Sequence, residues 1–344
     1  MQHSTLKEVL TYQDVLLVPQ YSNIKSRSEV DISGELQSGL RLQMPIIASP
    51  MDTVSTSPMA SAMDANGGMA IIHRYNSIED QCKHIECLPS DAIVGGAIGM
   101  GGDFRERAES LILAGAQVIC VDVAHGHHSS MREALAWLKQ NCSSSVHIMA
   151  GNIATLDGFN ALADWGADSV RCNIGGGSIC TTRVQTGHGV PGLHTIFDCA
   201  TSENTGNVKI IADGGIKNSG DIVKALAAGA DFVMVGSLLS GTDQSPGAII
   251  QTKEGNFKYY RGMASRDAQV DWRGRVGTPE GVSTKVPYKG DVNDVLEDLI
   301  GGVRSGLSYS GARTIEELQR KAKFVRQTSA GQVESSAHIA RGWR

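Results

Sequence analysis

The sequence predicts a closed (β/α)8 barrel, and three observations carry the prediction. Eight short apolar runs recur along the 344 residues, helix-period segments separate them, and almost every run ends in a polar or glycine-rich tip. A strand written as a continuous apolar run is buried on both faces, the condition of a parallel sheet covered by helices. A doubly wound open sheet meets that condition too, but eight strands without a second domain favour closure.

In order, the runs are Pro45–Ala48, Gly68–Ile72, Ala92–Ile98, Gln117–Val121, His147–Ala150, Ser169–Ile174, Val208–Ala212 and Asp231–Val235. Between them, Asp103 to Ala114 puts Ala108, Leu111 and Ile112 on one face and stops at Gly115, a helix C-cap signal. Ser219 to Ala228 opens with Ser219 as N-cap, turns Ile222, Val223 and Leu226 inward and stops at Gly229. After the eighth run the pattern loosens. Gly255 to Tyr260 is expected as a hairpin strand, and 262–284, rich in Gly, Arg and Asp without helical period, as a mobile flap. Val292 to Val303 and Thr314 to Val325 are expected as helices, and the polar tail 327–344 as a segment that orders only against a partner. The whole of 1–344 is expected to be one catalytic barrel domain.

Composition narrows the function classes. With 41% hydrophobic and 19% charged residues and a net charge of −5, the chain has ordinary globular make-up and no basic stripe, so neither nucleic acid nor an anionic membrane surface is expected as a partner. Seven cysteines at irregular spacing, without Cys-x-x-Cys, suit free thiols in a reducing cytoplasm better than a disulfide framework or structural zinc. No apolar run is long enough to span a bilayer and the N-terminus is polar, so a soluble cytoplasmic protein is expected.

Barrel active sites lie at the C-terminal ends of the strands, so the tips carry the argument. The sixth run feeds Asn173-Ile174-Gly175-Gly176-Gly177-Ser178-Ile179-Cys180-Thr181-Thr182-Arg183. Glycines there let backbone N–H groups approach an anion, Ser178 adds a hydroxyl, and Cys180 is a candidate nucleophile, since a thiolate is favoured near N–H dipoles and a basic neighbour such as Arg183. Gly214-Gly215 and Gly236-Ser237, after the seventh and eighth runs, form a second candidate phosphate clamp, although paired glycines also serve barrel closure. Asp213 can accept hydrogen bonds from a ribose diol and Asp122 from a second one, which would seat a mononucleotide and a dinucleotide together; either aspartate could instead be solvated or cap a helix.

The string Gly175 to Thr182 resembles the catalytic cysteine loop of the IMP dehydrogenase and GMP reductase family, Gly-x-Gly-Ser-x-Cys-x-Thr, and matching strings extend over nearly the whole chain. The resemblance implies a site lined by Ser49, Met51, Arg171, Gly262 and Gly281 among others. It implies that Ser178, Gly215, Gly236, Ser237 and Tyr260 hold the phosphate of IMP, XMP or GMP, that Asp213 holds its ribose, and that Met263 and Glu280 face the purine. Asp122, Asn152 and Gly175 fall on the NAD side. Cys180 would add to C2 of the purine, with Thr182 and Glu280 as a proton relay. It also implies a homotetramer and a potassium ion on carbonyls of Gly175, Gly177 and Cys180, completed by Glu334, Ser335 and Ser336 of a neighbour.

Within the family the signals divide. Ile78 to Asp91 is too short for the regulatory CBS insertion usual in the dehydrogenases, so length points to the reductase, as does Lys25 to Asp31. Asp122-Val123-Ala124-His125-Gly126-His127, Ile211 to Ile216, Gly241 to Gly247, Pro279-Glu280-Gly281 and Ala330 to His338 resemble the dehydrogenase. The flap lacks the Arg-Tyr pair of dehydrogenases; Trp272-Arg273-Gly274-Arg275 stands there, so Arg273, Arg275 or the relay would activate water. The expectation is a CBS-less IMP dehydrogenase, with GMP reductase and a catalytically silent purine-nucleotide-binding barrel as alternatives.

Overall fold

The computed structural model describes residues 6–36 and 39–335. Eight parallel strands close into a barrel in chain order: β1 (Ile46–Ala48), β2 (Met69–Ile72), β3 (Val94–Ile98), β4 (Val118–Asp122), β5 (His147–Ile153), β6 (Ser169–Cys172), β7 (Lys209–Asp213) and β8 (Phe232–Val235). The seam closes where Val233, Met234 and Val235 pair with Ile46, Ile47 and Ala48. Every predicted run supplies a barrel strand.

Alternation along each strand divides the apolar side chains between two cores. Ile47, Met69, Ile71, Val118, Cys120, Met149, Ile211, Phe232 and Met234 fill the interior, while Ile46, Ala48, Ala70, Ile72, Val233 and Val235 meet the helices. The base is plugged. Leu36 and Leu42, from the hairpin Gly34–Glu35 with Arg41–Leu42, join the interior core, and a Cβ on Gly34 would come within 2.9 Å of the Phe232 ring. A fully buried phenylalanine of this kind contributes roughly 3–5 kcal/mol, so the plug is firmly held and the mouth lies at the opposite, C-terminal strand ends.

The helices are α1 (Ser57–Ala65), α2 (Ile78–Glu86), α3 (Phe104–Leu113), α4 (Ser129–Asn141), α5 (Leu156–Asp164), α6 (Thr182–Thr186), α7 (Gly192–Cys199), α8 (Ser219–Ala227), α9 (Arg266–Arg273), α10 (Val292–Tyr309), α11 (Ile315–Lys321) and α12 (Ser329–Glu334). Gly115 and Gly229 follow α3 and α8 in the left-handed region, at φ 108° and 116°, as the stop signals require.

Five local expectations are corrected. Asn218, not Ser219, caps α8: its extended backbone lets the side chain accept from Asp221 N, while Ser219 is already helical. Helix α10 runs past Val303 to Tyr309, since Leu307 adds another buried side chain and the break comes only at Gly311, φ 62°. The segment Thr314 to Val325 is not one helix. It stops at Lys321, and Phe324–Arg326 pairs antiparallel with Val15–Leu17, a distant partner that periodicity cannot show. The flap contains a helix, α9, capped by Ser265, which accepts from Ala268 N, and burying Ala268 and Gln269. The tail through Ser335 orders against its own chain: Gln327 N donates to Asp14 O at 2.9 Å, and α12 packs on the turn Tyr12–Asp14.

Candidate active site

A cleft of about 490 Å³ opens at the C-terminal strand ends, lined by the tips of β1, β2 and β4 to β8 and by the flap. Of the seven cysteines, all described, Cys180 is the one on its wall. Cys120 points into the packed barrel interior, where burial pushes its thiol up to about 12, and burial likewise raises Cys172, so neither is a nucleophile.

The half-buried Cys180 Sγ donates to Thr182 Oγ1 at 3.2 Å, and Thr182 Oγ1 donates to Glu280 Oε2 at 2.8 Å. A thiol, a hydroxyl and a carboxylate stand in one line, a path for a proton between the sulfur and Glu280. Two loops far apart in sequence are stitched together to make it. Thr181 N donates to Glu280 O at 2.9 Å, Val282 N to Ile179 O at 3.0 Å, and Glu280 N to Ala264 O at 3.0 Å, so Pro279–Val282 is pinned between the cysteine loop and the start of the flap.

Arg171 forms the floor. Its guanidinium, on a side chain only 7% exposed, donates to Asp213 Oδ2 from Nε at 3.0 Å and Nη2 at 2.8 Å, and to Asp122 Oδ1 from Nη1 at 2.6 Å. Burial opposes that charge; the facing Asp213 leads the groups that outweigh it, so the guanidinium is held above its ordinary range. Asn152 Nδ2 adds a third donor to Asp213 Oδ2 at 2.7 Å. Among the described residues Asp213 Oδ1 has no protein donor, which leaves it free for a diol. Arg171 lines the cleft, as expected of a site residue, and its described hydrogen bonds include those to Asp122 and Asp213, which also line it.

The glycine tips abut. Gly175, Gly214 and Gly215 have φ of 81°, 82° and 78°, conformations that a side chain strains, and a Cβ on Gly215 would come within 3.1 Å of Gly176 O. Gly236 sits below Met51 and Tyr260: a Cβ there would come within 2.8 Å of Met51 Sδ and 3.1 Å of Tyr260 Oη. Burial pushes the Tyr260 hydroxyl up to about 12, while the neighbouring Ser178 hydroxyl lowers it, so it stays protonated as a donor. Ser49, Ser237, Gly262, Met263 and Gly281 complete this side of the wall.

Arg273 lines the cleft, whereas Arg275 is exposed on the flap and stands outside the lining. Glu334 and Ser335 lie at the end of α12, and Ser336 lies outside the described residues.

Three anchors escaped the sequence reading. Asn173 Nδ2 donates to the carbonyls of Asp213 at 2.9 Å and Gly214 at 3.3 Å, fixing the turn between the two clamps. Arg261 donates to Asp52 Oδ2 from Nε at 2.9 Å and Nη2 at 2.6 Å, and to Asp271 Oδ2 on α9 at 2.5 Å. Trp272 stacks on Tyr75, centroids 5.7 Å apart and planes 14° apart, with the Arg107 guanidinium 5.9 Å from the indole. Nothing local marks the last two; Arg171, a charge inside a run buried on both faces, did signal a need for facing carboxylates.

The chain matches the IMP dehydrogenase / GMP reductase domain over residues 9–338. It is 35% identical to the inosine-5'-monophosphate dehydrogenase of Nitrosopumilus maritimus, with 96% of this chain and 98% of that one covered. It is 33% identical to the GMP reductase of Leishmania major, with 97% of each covered. Among solved structures, a cysteine-to-alanine variant of the GMP reductase of Trypanosoma brucei, in complex with guanosine 5'-monophosphate, has a TM-score of 0.92 at 31% identity, covering 97% of this chain and 98% of that one. The two sequence alignments run over 469 and 479 residues, beyond the 344 of this chain. Relatives of both names therefore carry segments absent here, and the short length does not point to the reductase as expected.

Proposed function

Because the chain belongs to the IMP dehydrogenase / GMP reductase family, whose members are oxidoreductases, we propose that it is an IMP dehydrogenase, oxidising IMP to XMP with NAD through a covalent bond to Cys180. The observation that carries the reading is the line from Cys180 through Thr182 to Glu280, at 3.2 and 2.8 Å, on the wall of a cleft that also presents Asp213 and the glycine clamps.

In this reading the glycine tips and Ser178, Ser237 and Tyr260 hold the phosphate, Asp213 Oδ1 accepts from the ribose diol, and Met263 and Glu280 flank the purine. Cys180 Sγ adds to C2 while its proton passes to Thr182 and on to Glu280. Bound NAD supplies a hydride acceptor for the hydrogen on C2. The resulting thioimidate on Cys180 then takes water at C2, the C–S bond breaks, and XMP leaves with the thiol restored. Glu280 acting through Thr182, or Arg273 on the flap, draws the proton from that water.

The residues assigned to the nicotinamide nucleotide suit it. Asn152 Oδ1 is buried beside the cleft without a hydrogen-bond partner, an acceptor suited to a carboxamide N–H, and Asp122 keeps an oxygen turned toward Arg74 at 3.8 Å rather than fully paired. For potassium, the donors would be carbonyls of Gly175, Gly177 and Cys180 with those of Glu334, Ser335 and Ser336 from a neighbour in a homotetramer, hard oxygens matched to a monovalent cation.

A second reading is GMP reductase, which uses the same relay and is favoured by a flap without an Arg-Tyr pair to activate water. There Cys180 adds to C2 of GMP, ammonia leaves with a proton delivered through Thr182, hydride from NADPH returns to C2, and release of the sulfur gives IMP. Purified protein should form NADH and XMP from IMP plus NAD. Turnover of GMP plus NADPH alone would replace the first reading with the second, and turnover of neither would leave a nucleotide-binding barrel.

A further inference from the structure

The hairpin that frames the flap also grips the loop after β8. Lys289 follows the strand Ser283–Pro287, and its Nζ donates to the carbonyls of Ser237 at 2.8 Å and Leu238 at 2.9 Å. Lys258, on the partner strand Gly255–Arg261 and opposite Val286, is buried with its ammonium on the carbonyls of Thr242 at 2.9 Å, Asp243 at 3.5 Å and Ser245. Backbone bonds reinforce the junction: Lys289 N donates to Gly241 O at 2.9 Å, and Asp243 N to Gly290 O at 2.8 Å.

The peptide plane makes this directional. A carbonyl fixed one way fixes the amide of the next residue the other way. Gly236 O accepts from Leu239 N at 3.1 Å and Ser240 N at 2.9 Å, and Ser237 O accepts from Lys289. The amides of Ser237 and Leu238 are therefore turned away from both, and among the described residues they meet no protein acceptor.

We propose that Lys289 is a positioning residue for the nucleotide phosphate: by holding the carbonyl of Ser237 it keeps the following amide, that of Leu238, available to the anion, and it places a positive charge behind that amide. The inference rests on the assignment of Gly236 and Ser237 to the phosphate above.

The test compares a nucleotide with its dephosphorylated form. Displacement titration without cofactor gives Kd for IMP and for inosine in the wild-type protein, Lys289→Met and Lys289→Arg, each checked by thermal melting. Lys289→Met should weaken IMP binding roughly tenfold, the scale of a charge-assisted hydrogen bond, and leave inosine unchanged, while Lys289→Arg keeps most of the preference. An equal loss for both ligands, or none, with the wild-type preference intact, overturns the inference alone. A wild-type protein that binds inosine as tightly as IMP overturns the phosphate assignment and the inference with it.

Discussion

At the scale of residues, the proposed chemistry depends on three side chains whose roles follow from their order along one hydrogen-bonded line. Thr182 stands between sulfur and carboxylate, accepting from Cys180 and donating to Glu280, so it is the one member that cannot be bypassed without moving a loop. Thr182→Val keeps the shape and removes the hydroxyl. It should lower kcat roughly 100-fold, the usual contribution of positioned acid–base catalysis, with KM for the nucleotide little changed; an unaltered kcat would remove the relay from the mechanism. Arg171 works differently. Buried beneath the cleft, it is the counter-charge shared by Asp122 and Asp213, and its loss would leave two carboxylates without the cation between them.

At the scale of elements, the flap carries a helix docked on the barrel tips. Helix α9 is held by Asp271 on Arg261, itself anchored to Asp52 at the tip of β1, and by Trp272 on Tyr75 at the tip of β2. A stacked aromatic pair contributes roughly 0.5–1.5 kcal/mol beyond its buried area. Trp272→Ala should therefore raise amide exchange across Arg266–Arg273 severalfold while the barrel strands stay protected, as hydrogen exchange by mass spectrometry would report. Unchanged exchange in α9 would mean the stack does not hold the flap.

The same element shows where sequence reasoning stops. The barrel strands were legible because a strand buried on both faces must be apolar throughout, and their tips because a catalytic face must be polar. Cys180 was legible because a glycine-rich loop delivers it at a strand tip, whereas Thr182 and Glu280 were legible only through the resemblance to the family. Helix α9 was not, since it buries only Ala268 and Gln269 and leaves Trp272 and Val270 partly exposed, too little apolar period to notice. Nor was the pairing of Val15–Leu17 with Phe324–Arg326, which depends on the ends of the chain meeting, or Asn173, whose amide matters only because Asp213 and Gly214 arrive beside it.

At the scale of the whole molecule, a barrel plugged at its base by Leu36 and Leu42 presents one open end, and every tip that carries chemistry converges there. Neighbouring tips carry the cysteine loop, the Asp213 turn and the β8 loop, and the hairpin bearing Lys258 and Lys289 ties the β8 loop to the flap. The central claim is that Cys180 bonds to the purine during turnover. Glu280→Gln should slow release from that bond, so acid quenching of this variant soon after mixing with IMP and NAD, followed by intact mass and peptide mapping, tests it directly. The account predicts a nucleotide-sized mass increase on the peptide containing Cys180, with NADH formed in equal amount; NADH formed while Cys180 stays unmodified would contradict it.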